Sequence, residues 1–157
     1  MPYDRRSVPT TIERQLRRFI LLLLAGGLVA LFGELLALGH YEDWKQFAPL
    51  TAIGLTLLAI AWHVLSGAPL SVRVLQTVFV VLMVTGLVGI ILHYQSNVEF
   101  QLEVSPALAG WELIKKALNA KAPPALAPGV MAQLGLLGLI YTFRHPALRK
   151  AHAQPDA

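Results

Sequence analysis

Gly33-Glu34-Leu35-Leu36-Ala37-Leu38-Gly39-His40-Tyr41 and Gly86-Leu87-Val88-Gly89-Ile90-Ile91-Leu92-His93-Tyr94 are two versions of one phrase. Each closes a long apolar run, and each sets a glycine seven residues before a His-Tyr pair. Residues i and i+7 share a helix face. Read as helices, the two runs place a glycine and a histidine on one side, with the histidine at the mouth of a membrane.

The composition supports a membrane protein. Of 157 residues, 55% are hydrophobic and only 14% charged, where a soluble domain carries about a quarter. The mean hydropathy is +0.58. The length suits one integral membrane domain over 1–157. There is no cysteine, which excludes disulfides, thiolate metal sites, thiol catalysis and covalent c-type haem.

Outward from the two phrases, spans are expected over 19–39, 48–65, 74–94 and 130–143, with an outer segment over 95–129. The fold class is therefore an all-α bundle of four transmembrane helices. Thr10 and Glu13 have capping-box spacing ahead of the first. The first apolar run is too long for a signal peptide and lacks a small-x-small cleavage site, so it reads as an uncleaved span. Pro49 starts the second span, and Ser66-Gly67-Ala68-Pro69 turns the chain into the third. In the outer segment, Val98 to Val104 alternates apolar and polar, the pattern of a short strand. Ser105-Pro106 then opens an amphipathic helix with Leu108, Trp111, Ile114 and Leu118 on one side, expected to lie on the membrane surface. Ala48-Pro49, Gly54 and His63 are echoed by Ala127-Pro128, Gly135 and His145, so the spans read as two tandem hairpins.

Nine of the 13 Lys and Arg residues lie in the N-terminus, the second loop and the C-terminal tail. The positive-inside rule then puts both termini in the cytoplasm, in a cell inner membrane, with both His-Tyr pairs outside. The basic residues are juxtamembrane and suit anionic lipid rather than nucleic acid.

Three groups of residues carry candidate chemistry. His40 and His93 form an outer layer and His63 and His145 an inner one, the layout of a bis-histidine cytochrome binding haem b. Alternatively His40, His93, Glu42, Asp43, Glu99 and Glu103 converge on a divalent metal, two imidazoles with a carboxylate being a plausible ligand set. Glu34 lies inside the first span, where a carboxylate is costly and calls for a partner such as His93, Tyr94 or Thr85. In placing a glutamate in its first span, the chain resembles the small four-helix multidrug transporters. That resemblance implies a proton-carrying Glu34 and proton-coupled transport, and the long outer segment departs from it; four spans rarely enclose a pathway alone, so such a transporter would work as an oligomer. Gly26, Ala30, Gly33, Gly86, Gly89, Gly135 and Gly138 supply small-residue surfaces for close helix packing. Phosphate-binding, dinucleotide and hydrolase motifs are absent from the sequence. The reading that joins these features is a small accessory or scaffold subunit, not an enzyme, that packs against a larger membrane protein partner or its own copies in the bilayer.

Overall fold

A computed structural model describes residues 11–120 and 126–151, with side chains through 148. The elements run α1 (Thr11–Ala37), a 3-10 turn (Trp44–Gln46), α2 (Phe47–Ser66), α3 (Pro69–Val104), α4 (Gly110–Leu118), α5 (Leu126–Thr142) and α6 (Pro146–Ala151). Thr10 of the expected capping box lies outside the described residues. Three stretches are long and apolar enough to cross a bilayer: α1, Trp44–Ser66 and α3. The shorter α5 has 17 residues.

Each end of α1 and α2 follows from local chemistry. Gly39, at φ 68°, ends α1 in a Schellman turn. The His40 amide donates to Leu35 O at 2.9 Å and the Gly39 amide to Leu36 O at 3.1 Å. Asp43 and Gln46 then form a capping box around the short turn that starts the return. Gly67, at φ 60°, ends α2 in the left-handed conformation, and Pro69 opens α3 at its first turn.

The bundle closes as a ring in which α1 packs on α2, α2 on α3, α3 on α5 and α5 on α1. α1 contributes Leu24, Leu28, Leu31 and Leu35 to the core at helical spacing. Ile53 and Ile60 of α2, Leu75, Phe79 and Leu82 of α3, and Met131 and Leu134 of α5 meet them. The outer surface is as apolar as the core: Leu22, Leu58, Val64 and Ile140 are among many large exposed apolar side chains. Such a surface suits hydrocarbon as its solvent, where apolar burial drives little and close packing does more.

Glycine sets the closest contact, between α3 and α5. A Cβ on Gly86 would stand 2.5 Å from Ala132 N and 2.6 Å from Pro128 O. One on Gly135 would stand 2.6 Å from Met83 N, and one on Gly138 would enter the Phe79 ring. Gly89 packs on Pro128 Cβ. On α1 the glycine at a helix contact is Gly27, where an added Cβ would stand 3.0 Å from Leu134 Cδ2, whereas Gly26 and Gly33 look into open space.

The outer segment corrects two expectations. Val98 to Val104 is not a strand: α3 runs unbroken for 36 residues, through Val104. A lone strand leaves its backbone groups without a ladder, while a continuing helix pairs them locally. At 1.5 Å per residue α3 is about 54 Å long, well beyond a hydrocarbon core of about 30 Å. Nor does Ser105-Pro106 open the next helix: 105–109 is a turn, and α4 starts at Gly110 and runs back along α3. The Asn97 side-chain amide donates to Ala117 O at 3.2 Å. Seven residues back from Val104 thus meet seven residues on from Gly110, the geometry of an antiparallel helical hairpin. α4 therefore packs against α3, with Ala117 buried and Trp111 and Leu118 exposed.

Candidate functional site

At one end of the bundle, the four ring helices each send one polar residue to a common cluster. These are Arg17 from α1, His63 from α2, Ser71 from α3 and Tyr141 from α5. His63 is 6% exposed, Tyr141 5% and Ser71 0%, so these three are shielded from solvent and their polar atoms need partners, while Arg17 is half-buried at the edge.

The proton positions follow from the acceptors. Ser71 Oγ lies 2.7 Å from Ala68 O, and a carbonyl can only accept. Ser71 has thereby spent its proton. His63 Nδ1, 2.8 Å from Ser71 Oγ, must therefore donate. With Nδ1 protonated, neutral His63 accepts at Nε2 from the Tyr141 hydroxyl, 2.9 Å away. The chain runs one way, Tyr141 to His63 to Ser71 to Ala68. Ser71 and His63 stand at the distance of a hydroxyl nucleophile and its base. Here the imidazole donates to the hydroxyl and the hydroxyl is fully buried, so the pair is a structural tie.

Arg17 closes the cluster from α1. Its Nη1 donates to Tyr141 O at 2.6 Å and its Nη2 to Phe143 O at 3.4 Å. These are the free carbonyls at the C-terminus of α5, where a cation is favoured. Glu13, one turn away, holds the guanidinium through Nη2 at 3.1 Å. Arg144 takes a positive φ of 47° beyond α5. That conformation costs a side-chain-bearing residue about 1–2 kcal/mol. The chain then returns over the cluster, and the His145 ring stands edge-on to His63 at 5.2 Å and 5.5 Å from Tyr141. Burial, then the neighbouring His63 and Arg17, lower the His145 pKa to about 4, against an opposing pull from Glu13.

The other end is built differently. His40 occupies the Schellman turn after α1, outside any helix, whereas His93 lies within α3. His40 is held below the usual imidazole range by burial and then by His93. His93 Nδ1 and Asn97 Oδ1, one helical turn apart, are buried without a hydrogen-bond partner. Asp43 caps the 3-10 turn through Lys45 N, and Glu42, Glu99 and Glu103 are exposed. Among the described residues no three His, Cys, Asp or Glu side chains come together as metal ligands. The expected convergence of His40, His93, Glu42, Asp43, Glu99 and Glu103 is therefore not found.

Nor does the geometry favour the two haem layers. Both nitrogens of His63 are engaged, and His145 touches its ring edge-on, which leaves no space between them for a macrocycle. In the outer layer, the space beside Gly86 and Gly89 is filled by α5. Glu34 lies exposed on the outer side of α1, with Leu35 beside it in the core. α1 packs on α2 and α5, so the bond to His93, Tyr94 or Thr85 is not made. The sequence marked His63 and His145, but it gave no sign of Ser71, Tyr141 or Arg17.

A scan against protein-family models finds no match to the chain, and neither do searches of curated proteins and of solved structures.

Proposed function

We propose that this chain is a small four-span subunit of an inner membrane, with both termini cytoplasmic, which packs against a helix of a larger membrane assembly. One observation carries the reading. Gly26, Ala30, Gly33, Glu34 and Ala37 lie on the exposed side of α1, and an added Cβ at Gly26 or Gly33 would meet nothing within 4 Å. This is an open trough of small residues with a carboxylate on its rim. Small residues let a neighbouring backbone approach closely, and a carboxylate at membrane depth needs a donor.

The occupant that fits is a partner helix bearing a hydroxyl, amide or basic side chain at the level of Glu34. A second copy of this chain would bring two carboxylates together, which disfavours a self-pair. The length of α5 agrees with a fourth span: 17 residues make a helix of about 25 Å, at the short end of what a bilayer accepts. Arg14, Arg17, Arg18, Arg73 and Arg144 all belong to the end where α1 begins, as a cytoplasmic face requires.

The test is site-specific photo-crosslinking in the native membrane from position 30, with position 58 on the lipid-exposed side of α2 as the control. The expected product is one defined heterologous membrane polypeptide from position 30 only, lost in Gly33→Leu and weakened in Glu34→Gln. Adducts with lipid alone would overturn the proposal. Cross-links only to a second copy would favour an oligomeric proton-coupled transporter, in which Glu34 carries the proton and Glu34→Gln abolishes pH-dependent transport in liposomes.

A further inference from the structure

A shallow, open groove of about 270 Å³ lies on the outer side of α1, lined by Gln15, Arg18, Phe19 and Leu22. The four residues follow helical spacing and change character along the axis. Gln15 and Arg18 lie towards the polar start of the helix, and Phe19 and Leu22 towards the apolar run. Phe19 is 66% and Leu22 68% exposed, so this face looks away from the bundle. The boundary between Arg18 and Phe19 is the point at which the chain turns from polar to apolar, the level of a lipid headgroup.

The three described arginines of α1 have different occupations. Arg17 is committed to Glu13 and to the carbonyls of α5. Arg18, like Arg14 one turn before it, is exposed and has no carboxylate partner among the described residues. A guanidinium held at the groove rim suits a phosphate, which it meets with paired N–H donors. Gln15 adds an amide donor to the same rim. A zwitterionic headgroup would bring its own cation towards Arg14 and Arg18, and an anionic one would not.

We infer that this groove binds one anionic glycerophospholipid, with Arg18 and Gln15 on the phosphate and Phe19 and Leu22 against the start of the acyl chains. The site ends at Leu22, one turn short of Gly26, so it does not depend on what docks at Glu34.

The experiment is native mass spectrometry of the full chain in micelles, titrated in parallel with phosphatidylglycerol and phosphatidylcholine. One tightly held phosphatidylglycerol is expected, with phosphatidylcholine retained several-fold less. Arg18→Gln should weaken phosphatidylglycerol about fivefold, the effect of one arginine near an anionic surface. Arg73→Gln, which removes an exposed cation from the same end of the bundle, should leave it unchanged. Excess inorganic phosphate should not displace the lipid, because Phe19 and Leu22 have no hold on it. Three results would overturn the inference: equal retention of the two lipids, equal losses in the two variants, or displacement by phosphate.

Discussion

Two histidines stand at each end of the bundle, and the two ends hold them in opposite ways. At the His63 end, three helices are tied through a single imidazole whose nitrogens both have partners, and Arg17 joins α1 to the end of α5. At the His93 end, His93 Nδ1 and Asn97 Oδ1 are buried with none. A satisfied polar network fixes one arrangement of helices, while each unsatisfied buried atom costs about 1–3 kcal/mol. One end therefore locks the bundle, and the other stays poorly bonded where α4 folds back on α3.

Breaking the hub should have the largest effect. His63→Ala leaves Tyr141 and Ser71 without their partner and opens a cavity, an expected cost of about 3–4 kcal/mol. Thermal unfolding in micelles, followed by far-ultraviolet circular dichroism, measures it. Acid should act nearly as strongly through His145. Its pKa falls from 6.5 unfolded to about 4 folded, so below pH 6.5 the unfolded chain takes up the proton first. Stability is then complete above pH 6.5 and declines towards pH 4, by up to about 3 kcal/mol. His40 shifts in the same direction, so the discriminating measurement is the pH dependence of unfolding in His145→Gln, which should be visibly flatter than in the wild type.

Tyr141→Phe removes one hydroxyl and leaves His63 Nε2 unpartnered, for an expected loss of about 1–3 kcal/mol in the same unfolding assay. The smallest change should come from the opposite end. Asn97→Leu gives up the bond to Ala117 but also removes a buried acceptor that has none, so stability should stay within about 1 kcal/mol. A loss comparable to that of His63→Ala would erase the distinction between the ends.

What the sequence revealed depended on distance along the chain. The apolar runs, the Gly67 and Pro69 boundary and the small-residue surfaces are local patterns, and they located the helices. The Val98 to Val104 alternation misled because periodicity carries no information about whether a second strand is at hand. The repeated His-Tyr phrase also proved to hold two different structures. Gly39 makes the first histidine part of a Schellman turn, whereas the second sits inside a 36-residue helix. Nothing in a shared spacing of seven separates a residue just after a left-handed glycine from one within a continuing helix.

The hub itself was out of reach for another reason. His63 finds Ser71 eight residues on and Tyr141 seventy-eight residues on. Neither spacing belongs to a helix face, and only the closing of the ring brings α5 back to α2. Arg17 is one of several juxtamembrane cations along the sequence, and only its bonds to the carbonyls of Tyr141 and Phe143 at the end of α5 set it apart. Glu34 was found by the cost of burying a charge, but that cost does not say which side of α1 it occupies. The core positions of Leu31 and Leu35 settle that it faces outward.

The most direct test of the contrast between the ends is amide hydrogen exchange of the wild-type protein in micelles, resolved by peptide. The account expects peptides around His63 and Tyr141 to exchange most slowly of all, and those around Asn97 and Ala117 to open at markedly lower free energy. Equal protection at the two ends, or greater protection around Asn97, would contradict it.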